Sequence, residues 1–254
     1  MLEYQTTEKL IGMRLSVMAS EYRRQLEIPN TSELSFEERL AMIVDAEWLS
    51  RENNRTEKLL STAKLREHAS LADIDYDPRR KLDKAMIARL SDLLWVKEAR
   101  NMIVTGPTGT GKTYIACAFG DTACRMGIKT RYFRVSRLLA DLAVGRGDGS
   151  YNRLLRTLKN VQLLILDDFG LSPLTADQGR DLLEVIEDRS GIGSTIISAQ
   201  LPVAEWHALY ADSTIADAVL DRLVHNAYRL MPEGPSRRLQ PQADCTESPV
   251  AGQG

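Results

Sequence analysis

Gly106-Pro-Thr-Gly-Thr-Gly-Lys-Thr113 is the segment of this chain whose residue types and spacing most directly specify a chemistry. It meets every fixed position of the pattern G-x-x-x-x-G-K-[ST]. Gly106, Gly109 and Gly111 allow the backbone to wrap closely around phosphate with its N–H groups turned inward, and Pro107, Thr108 and Thr110 fill the loop between them. Lys112 brings a point charge to the β and γ phosphates, and Thr113 a hydroxyl for Mg²⁺. The expected ligands are therefore ATP and Mg²⁺.

A phosphate loop of this kind needs an acidic partner. Leu163-Leu-Ile-Leu-Asp-Asp168 supplies it, as an apolar strand that delivers Asp167 to the edge where the loop lies. Asp167 is expected to hold the Mg²⁺ shell together with Thr113. Asp168 points elsewhere and is the candidate to polarise the attacking water. A second strand, Thr195–Ser198, should lie beside this one and end in Ser198-Ala-Gln200. A polar side chain there can touch the γ phosphate or the water, with Gln200 preferred and Ser198 in reserve.

These residues must be positioned by an alternation of strands and helices. Met102–Thr105 reads as a strand, followed by a helix from Lys112 to near Gly127, a natural C-cap. Arg131–Val135 reads as a strand, Arg137–Val144 as a helix capped by Ser136, and Gly145–Gly149 as a glycine-rich loop. A helix from Ser150 to about Lys159, the strand Leu163–Leu166, a helix over 176–189, the strand Thr195–Ser198 and a helix over 203–209 continue the series. This alternation predicts an α/β fold with a doubly wound parallel sheet. Residues 1–72 instead read as a small all-helical domain, with a capping box at Ser35–Glu38 and no Gly or Pro from Ser35 to Ser70. The expected organisation is a helical domain over 1–72, an ATPase domain over 73–234 and a disordered tail over 235–254.

The bulk properties narrow the classes. The 254 residues are 43% hydrophobic and 27% charged, with a formal net charge of −2, so any nucleic-acid binding must use local patches. The three cysteines show no metal spacing; Cys117 and Cys124 read as packing residues. His68, His207 and His225 are scattered, and His207 beside Trp206 reads as a packing or interface residue. No apolar run reaches the roughly 18 residues that a membrane span requires. The first fifteen residues contain acids and lack a signal-peptide core, so the expected location is cytoplasmic.

GPTGTGKT, LLILDDFG, STIISAQLP and DAVLDRLVHNAYRL together resemble the AAA+ ATPases of the IstB type, transposition helper proteins of bacterial insertion sequences, which are similar to the DnaC helicase loaders. The N-terminal LSFEERLAMIVDAEWLSRENNRTEKLL and the segment GRGDGSYNRLLRTL extend the resemblance over nearly the whole chain. It implies that Asp167 is the Mg²⁺ acid and that Asp168 is the catalytic acid, where many AAA+ proteins carry Glu. Aspartate is one methylene shorter, which implies slow turnover. Gln200 takes the sensor position. Arg222 matches the arginine finger that reaches a neighbour's ATP site, with Arg189 as runner-up. Arg237 falls where family members carry a polar residue followed by Arg, but Pro235 replaces the usual acidic stretch, which speaks against a nucleotide-sensing role. A finger supplied in trans implies an ATP-dependent homo-oligomer. The implied function is a DNA-binding helper that recruits or stimulates a cognate transposase, with ATP hydrolysis as the switch. A replicative helicase loader is the alternative. A small-molecule P-loop kinase would need a lid with clustered arginines, and no such segment lies between the two phosphate-site motifs.

Two segments are candidates for double-stranded DNA. Arg51, Arg55, Lys58 and Arg66 recur along one helix face, which reads equally as a solvated mixed-charge face. Arg146, Arg153 and Arg156 surround the glycine loop and could clamp phosphates without reading bases, or form an ordinary surface loop.

Overall fold

The computed structural model describes residues 2–28 and 34–236. It divides into two compact units, Met1–Thr62 with Arg125–Gly127, and Ala63–Cys124 with Ile128–Gly254.

The first unit is built on helices α1 (Leu2–Gly12), α2 (Ser16–Glu27) and α3 (Phe36–Ala63). The capping box that starts α3 is complete: the Glu38 amide donates to the Ser35 hydroxyl at 3.2 Å, and the Ser35 amide donates to the Glu38 carboxylate at 2.8 Å. The start of α2 is capped from α3, because Glu47 accepts from the amides of Val17 and Met18 at 3.0 and 3.1 Å. Those are donors that a helix cannot satisfy internally. Arg51 donates to Glu47 at 2.8 Å and to the Arg14 carbonyl at 2.9 Å. Arg51 and the α2 amides together hold the Glu47 carboxyl below the usual carboxylate range.

The expectation of helix throughout residues 1–72 is corrected. α3 stops at Ala63, Lys64 adopts a left-handed φ of 52°, and an irregular segment leads to a single 3-10 turn, Leu71–Asp73. Tertiary contacts override helix propensity here. Ala63 is buried, and the Ser70 amide donates to the Tyr114 hydroxyl at 3.3 Å.

The second unit contains a five-stranded sheet. Strands β1 (Met102–Thr105), β2 (Thr130–Arg134), β3 (Leu163–Phe169), β4 (Ser194–Ala199) and β5 (Tyr228–Leu230) run parallel in the order β2-β3-β4-β1-β5. Met102, Val104, Leu163, Ile165 and Ile196 enter one buried cluster, with α4 (Lys84–Leu90), α5 (Leu94–Lys97) and α6 (Lys112–Arg125). Ile103, Leu164, Leu166 and Ile197 enter the other, with α7 (Val135–Asp148), α8 (Tyr151–Lys159), α9 (Ala176–Arg189) and α10 (Ser213–Val224). Alternate residues thus face opposite helical layers, so the central strands carry unbroken apolar runs. Cys117 and Cys124 are buried in α6, and the Ile128 amide closes that helix on the Ala123 carbonyl at 2.8 Å, next to Gly127 at φ 79°.

Three local expectations change. The glycine-rich loop does not form: α7 runs through Gly145 and Gly147 to Asp148, and only Gly149, at φ 78°, ends it. Two helical glycines cost about 1 kcal/mol each. Burial of Leu138, Leu139 and Leu142 offsets that, and Gly145 is required where it stands, because a Cβ there would meet the Tyr151 amide nitrogen at 2.9 Å. Ser136 does not cap this helix either, since the helix begins one residue earlier, at Val135. The stretch Val203–Leu209 is a 3-10 helix; it buries Trp206 but leaves His207 exposed, with Nε2 3.3 Å from Asp217. Among the described residues no helix is long and apolar enough to cross a membrane.

Candidate functional site

The loop between β1 and α6 lies at the C-terminal edge of the sheet, where parallel α/β folds place ligands. Gly109 and Gly111 adopt φ values of 86° and 85°, which only glycine takes without strain. The loop is tied internally: Thr110 Oγ1 and Lys112 Nζ donate to the Pro107 carbonyl at 2.9 and 2.8 Å. It is tied from outside by Arg80, which donates to the Thr110 carbonyl at 2.8 Å and to the Asp75 carbonyl at 2.6 Å. The segment after β5 also reaches it, because a Cβ on Gly109 would collide with the Ser236 side chain.

Asp167 is fully buried at the end of β3. Its carboxylate accepts from Thr113 Oγ1 at 2.9 and 3.1 Å and from the Tyr132 hydroxyl at 2.7 Å. Burial and the Asp167 charge push the Tyr132 phenol well above its ordinary range, so it remains a donor. The hard oxygens of Thr113 and Asp167 suit a divalent cation whose other positions are filled by phosphate and water. Asp168 is held differently. It has a left-handed φ of 58°, at the irregularity where the β3–β4 register shifts between Leu166 and Phe169. That backbone conformation costs a non-glycine residue about 1 kcal/mol or more. It turns the two neighbouring carboxylates apart: Asp167 goes into the Thr113 pair, and Asp168 into the open cleft.

The cleft has a volume of about 310 Å³ and is lined by the loop, Asp168, Gln200, Arg66, Arg80 and Arg134, among others. Gln200 accepts from Thr108 Oγ1 at 2.9 Å, immediately beyond β4, whereas Ser198 is buried inside that strand. Of the two candidates, Gln200 is therefore the one that faces the cleft. Arg134 Nε is 3.3 Å from Asp168. Arg66 Nη1 is 3.6 Å from Asp167 and from Asp168.

Arg66 does not share the helix face on which the sequence reading placed it with Arg51, Arg55 and Lys58. It stands beside the acid pair because α3 has already ended. Arg80, Arg134 and Tyr132 were not singled out from the sequence. The one local signal was Arg134 at the C-terminal end of a strand; Arg80 and Tyr132 gave none, because their partners in the site, Thr110 and Asp167, lie 30 and 35 residues away.

Arg222 lies elsewhere. It donates to Glu187 at 2.7 Å and to the Ala218 carbonyl at 2.7 Å, and it borders a hollow with Asn101 and Thr195 at the N-terminal ends of β1 and β4. It is thus at the opposite edge of the sheet from its own phosphate loop. Arg189 is corrected outright as a finger candidate. It is 2% exposed and donates to the carbonyls of Leu158, Val161 and Ser194, which leaves it no reach to a neighbouring chain. Arg237 lies outside the described residues.

The DNA candidates separate in the same way. Arg146 pairs with the buried Asp181 and stacks on Tyr151 at 4.2 Å, so it serves the α7–α8–α9 packing. That corrects its place on a flexible phosphate-clamping loop. Arg51 is engaged by Glu47. Arg55, Lys58, Arg153 and Arg156 are exposed.

The model for the IstB-like ATP binding protein family matches residues 8–245. An insertion-sequence ATP-binding protein of Sinorhizobium fredii is 45% identical over 238 residues, covering 94% of this chain and 97% of that protein. An ATP-binding protein in an insertion sequence of Mycobacterium tuberculosis is 31% identical over 237 residues, covering 93% and 94%. Among solved structures, DnaI aligns with a TM-score of 0.56 at 20% identity, covering 69% of this chain and 93% of that one. The DnaC helicase loader aligns at 0.51 and 21%, covering 62% and 94%. At these identities the two structures speak for the shared fold alone. The phosphate loop, the acid pair and the sheet order thus coincide with a family match over nearly the full length, and this chain belongs to the IstB-like ATP-binding family as an α/β P-loop ATPase.

Proposed function

We propose that this chain is an ATP-dependent transposition helper, which assembles on double-stranded DNA, engages a cognate transposase in the cytoplasm and uses ATP hydrolysis to release the assembly. The observation that carries this reading is the position of Arg222. A site with loop, acid pair and sensor on one sheet edge, and its family finger on the other, needs a second copy for completion. The insertion-sequence relatives support the transposition context.

The chemistry follows from the residues. Loop amides and Lys112 hold the β and γ phosphates. Thr113 and Asp167 hold Mg²⁺, which when bound supplies positive charge to the phosphate oxygens. Gln200 orients the attacking water, and Asp168 polarises it. Arg222 of a neighbouring copy stabilises charge on the transferring phosphoryl group. Arg153 and Arg156 are the proposed phosphate contacts on DNA, supported by Arg55 and Lys58; all are backbone contacts without base readout.

The test is turnover and assembly together. ATPase activity should rise with duplex DNA, and sedimentation should show ATP-dependent oligomers on it. Lys112→Ala should lose both. Retention of ATP binding and DNA-dependent assembly in that variant would overturn the mechanism.

A further inference from the structure

Arg134 reaches Asp168 alone, whereas Arg66 reaches both acids of the pair. Its Nη1 is equidistant, at 3.6 Å, from carboxylate oxygens of Asp167 and Asp168. At that distance the contact is electrostatic rather than a hydrogen bond. The hydrogen bonds of Asp167 are made by Thr113 and Tyr132 instead. The guanidinium is also about one-third exposed and lines the cleft beside Lys112 and Thr113, so it can leave without unmaking the core.

We propose that Arg66 is a built-in counter-cation of the acid pair, which holds divalent metal off Asp167 and Asp168 until nucleotide phosphate draws the guanidinium away. The proposal rests on the reading of Thr113 and Asp167 as the Mg²⁺ ligands. Two adjacent carboxylates form a negative locus that attracts any cation, and a positive charge within about 4–6 Å competes with a second cation for it. An incoming polyphosphate reverses the balance, because it brings more negative charge than the carboxylates it approaches. Metal and nucleotide are then taken up together.

The device has a mechanical side. Arg66 belongs to the irregular segment between Ala63 and the 3-10 turn at Leu71, which follows α3 directly in the chain. That segment rests on α6 through Leu65, whose Cδ2 would lie 2.8 Å from a Cβ on Gly120, and through the bond from the Ser70 amide to Tyr114. Withdrawal of Arg66 on loading therefore loosens the segment at one end. The state of the ATP site reaches the residues that immediately follow α3.

The experiment uses the full chain with Mn²⁺ as a paramagnetic probe, with and without a non-hydrolysable ATP analogue. Without nucleotide, Arg66→Gln should bind Mn²⁺ about tenfold more tightly than the wild type at low salt, and the enhancement produced by the analogue should shrink to match. Arg66→Lys, which keeps the charge, should follow the wild type. In the wild type, hydrogen exchange of the amides from Leu65 to Ser70 should quicken when Mn²⁺ and the analogue are added together. Mn²⁺ binding by Arg66→Gln no tighter than wild type, or unchanged exchange of that segment, overturns the proposal. Asp167→Asn separates the two layers. If it retains wild-type Mn²⁺ uptake with the analogue, the assignment of the metal site falls as well; if it loses uptake while Arg66→Gln behaves as wild type, only the counter-cation falls.

Discussion

Replacing Arg189 by Met tests the assignment of the two arginines near the ends of α9 and α10. Arg189 donates to three carbonyls, those of Leu158, Val161 and Ser194, and is 2% exposed. Methionine retains much of the apolar stem but leaves three buried acceptors without that donor. The Leu158 carbonyl keeps the Val161 amide at 3.4 Å; an acceptor left with no donor costs about 1–3 kcal/mol, partly offset because a buried charge is no longer desolvated. The expected net loss is about 2–4 kcal/mol, a large fraction of the roughly 5–15 kcal/mol of a typical domain. Burial lowers the Arg189 guanidinium to about 10, so it is charged at neutral pH in both folded and unfolded states. Because the folded value is the depressed one, the cost of burying the charge is constant below it and relaxes only as pH rises through it. The wild-type-to-variant difference should therefore be flat through neutral and mildly alkaline pH. Urea denaturation followed by circular dichroism measures the loss. The reasoning is refuted if Arg189→Met keeps the wild-type midpoint yet its assembled ATPase is dead and recovers when mixed with Lys112→Ala chains, for that pattern identifies a finger.

Arg222→Ala should show the converse: near-wild-type stability, since its Glu187 ion pair is at the surface, and lost turnover that returns on mixing with Lys112→Ala chains. Recovery failing in every mixture would remove Arg222 from the neighbour's site. Replacing Arg153 and Arg156 together with Ala should weaken duplex binding and lower the log–log salt slope by about 1.8, two phosphate contacts' worth; filter binding at several salt concentrations reads both, and an unchanged slope discards that surface. Glu47 gives a pH dependence. Its folded carboxyl is held low by Arg51 and the α2 amides, so its contribution is present above the unfolded carboxylate value and is lost as pH falls through the folded one. An acid titration of helicity should show a step in the wild type that Glu47→Gln lacks; identical titrations would dismiss the cap.

What the sequence disclosed divides along chain distance. The phosphate loop spans eight consecutive residues, so its chemistry is visible in their order. β1 and β3 announce themselves because both faces are buried. β5 was missed since Tyr228-Arg229-Leu230 is a short edge strand with an exposed arginine. Gly145 looked like a loop residue because its reason for being there, the backbone of Tyr151, appears only once α8 folds back. The same holds for the arginines: Arg66, Arg146 and Arg189 are indistinguishable in composition, and their roles are set by Asp167, Asp181 and three carbonyls that the fold brings to them.

Placing Arg222 and the cleft on opposite edges of one sheet fixes the arithmetic of any assembly that joins them. Such a contact is head-to-tail, with different surfaces on its two sides. An open run of n copies then contains n − 1 finished sites and one unfinished end, whereas a closed ring contains n. Turnover per chain would climb with length in the open form and stay constant in the closed one, so a dilution series of specific activity counts the free ends.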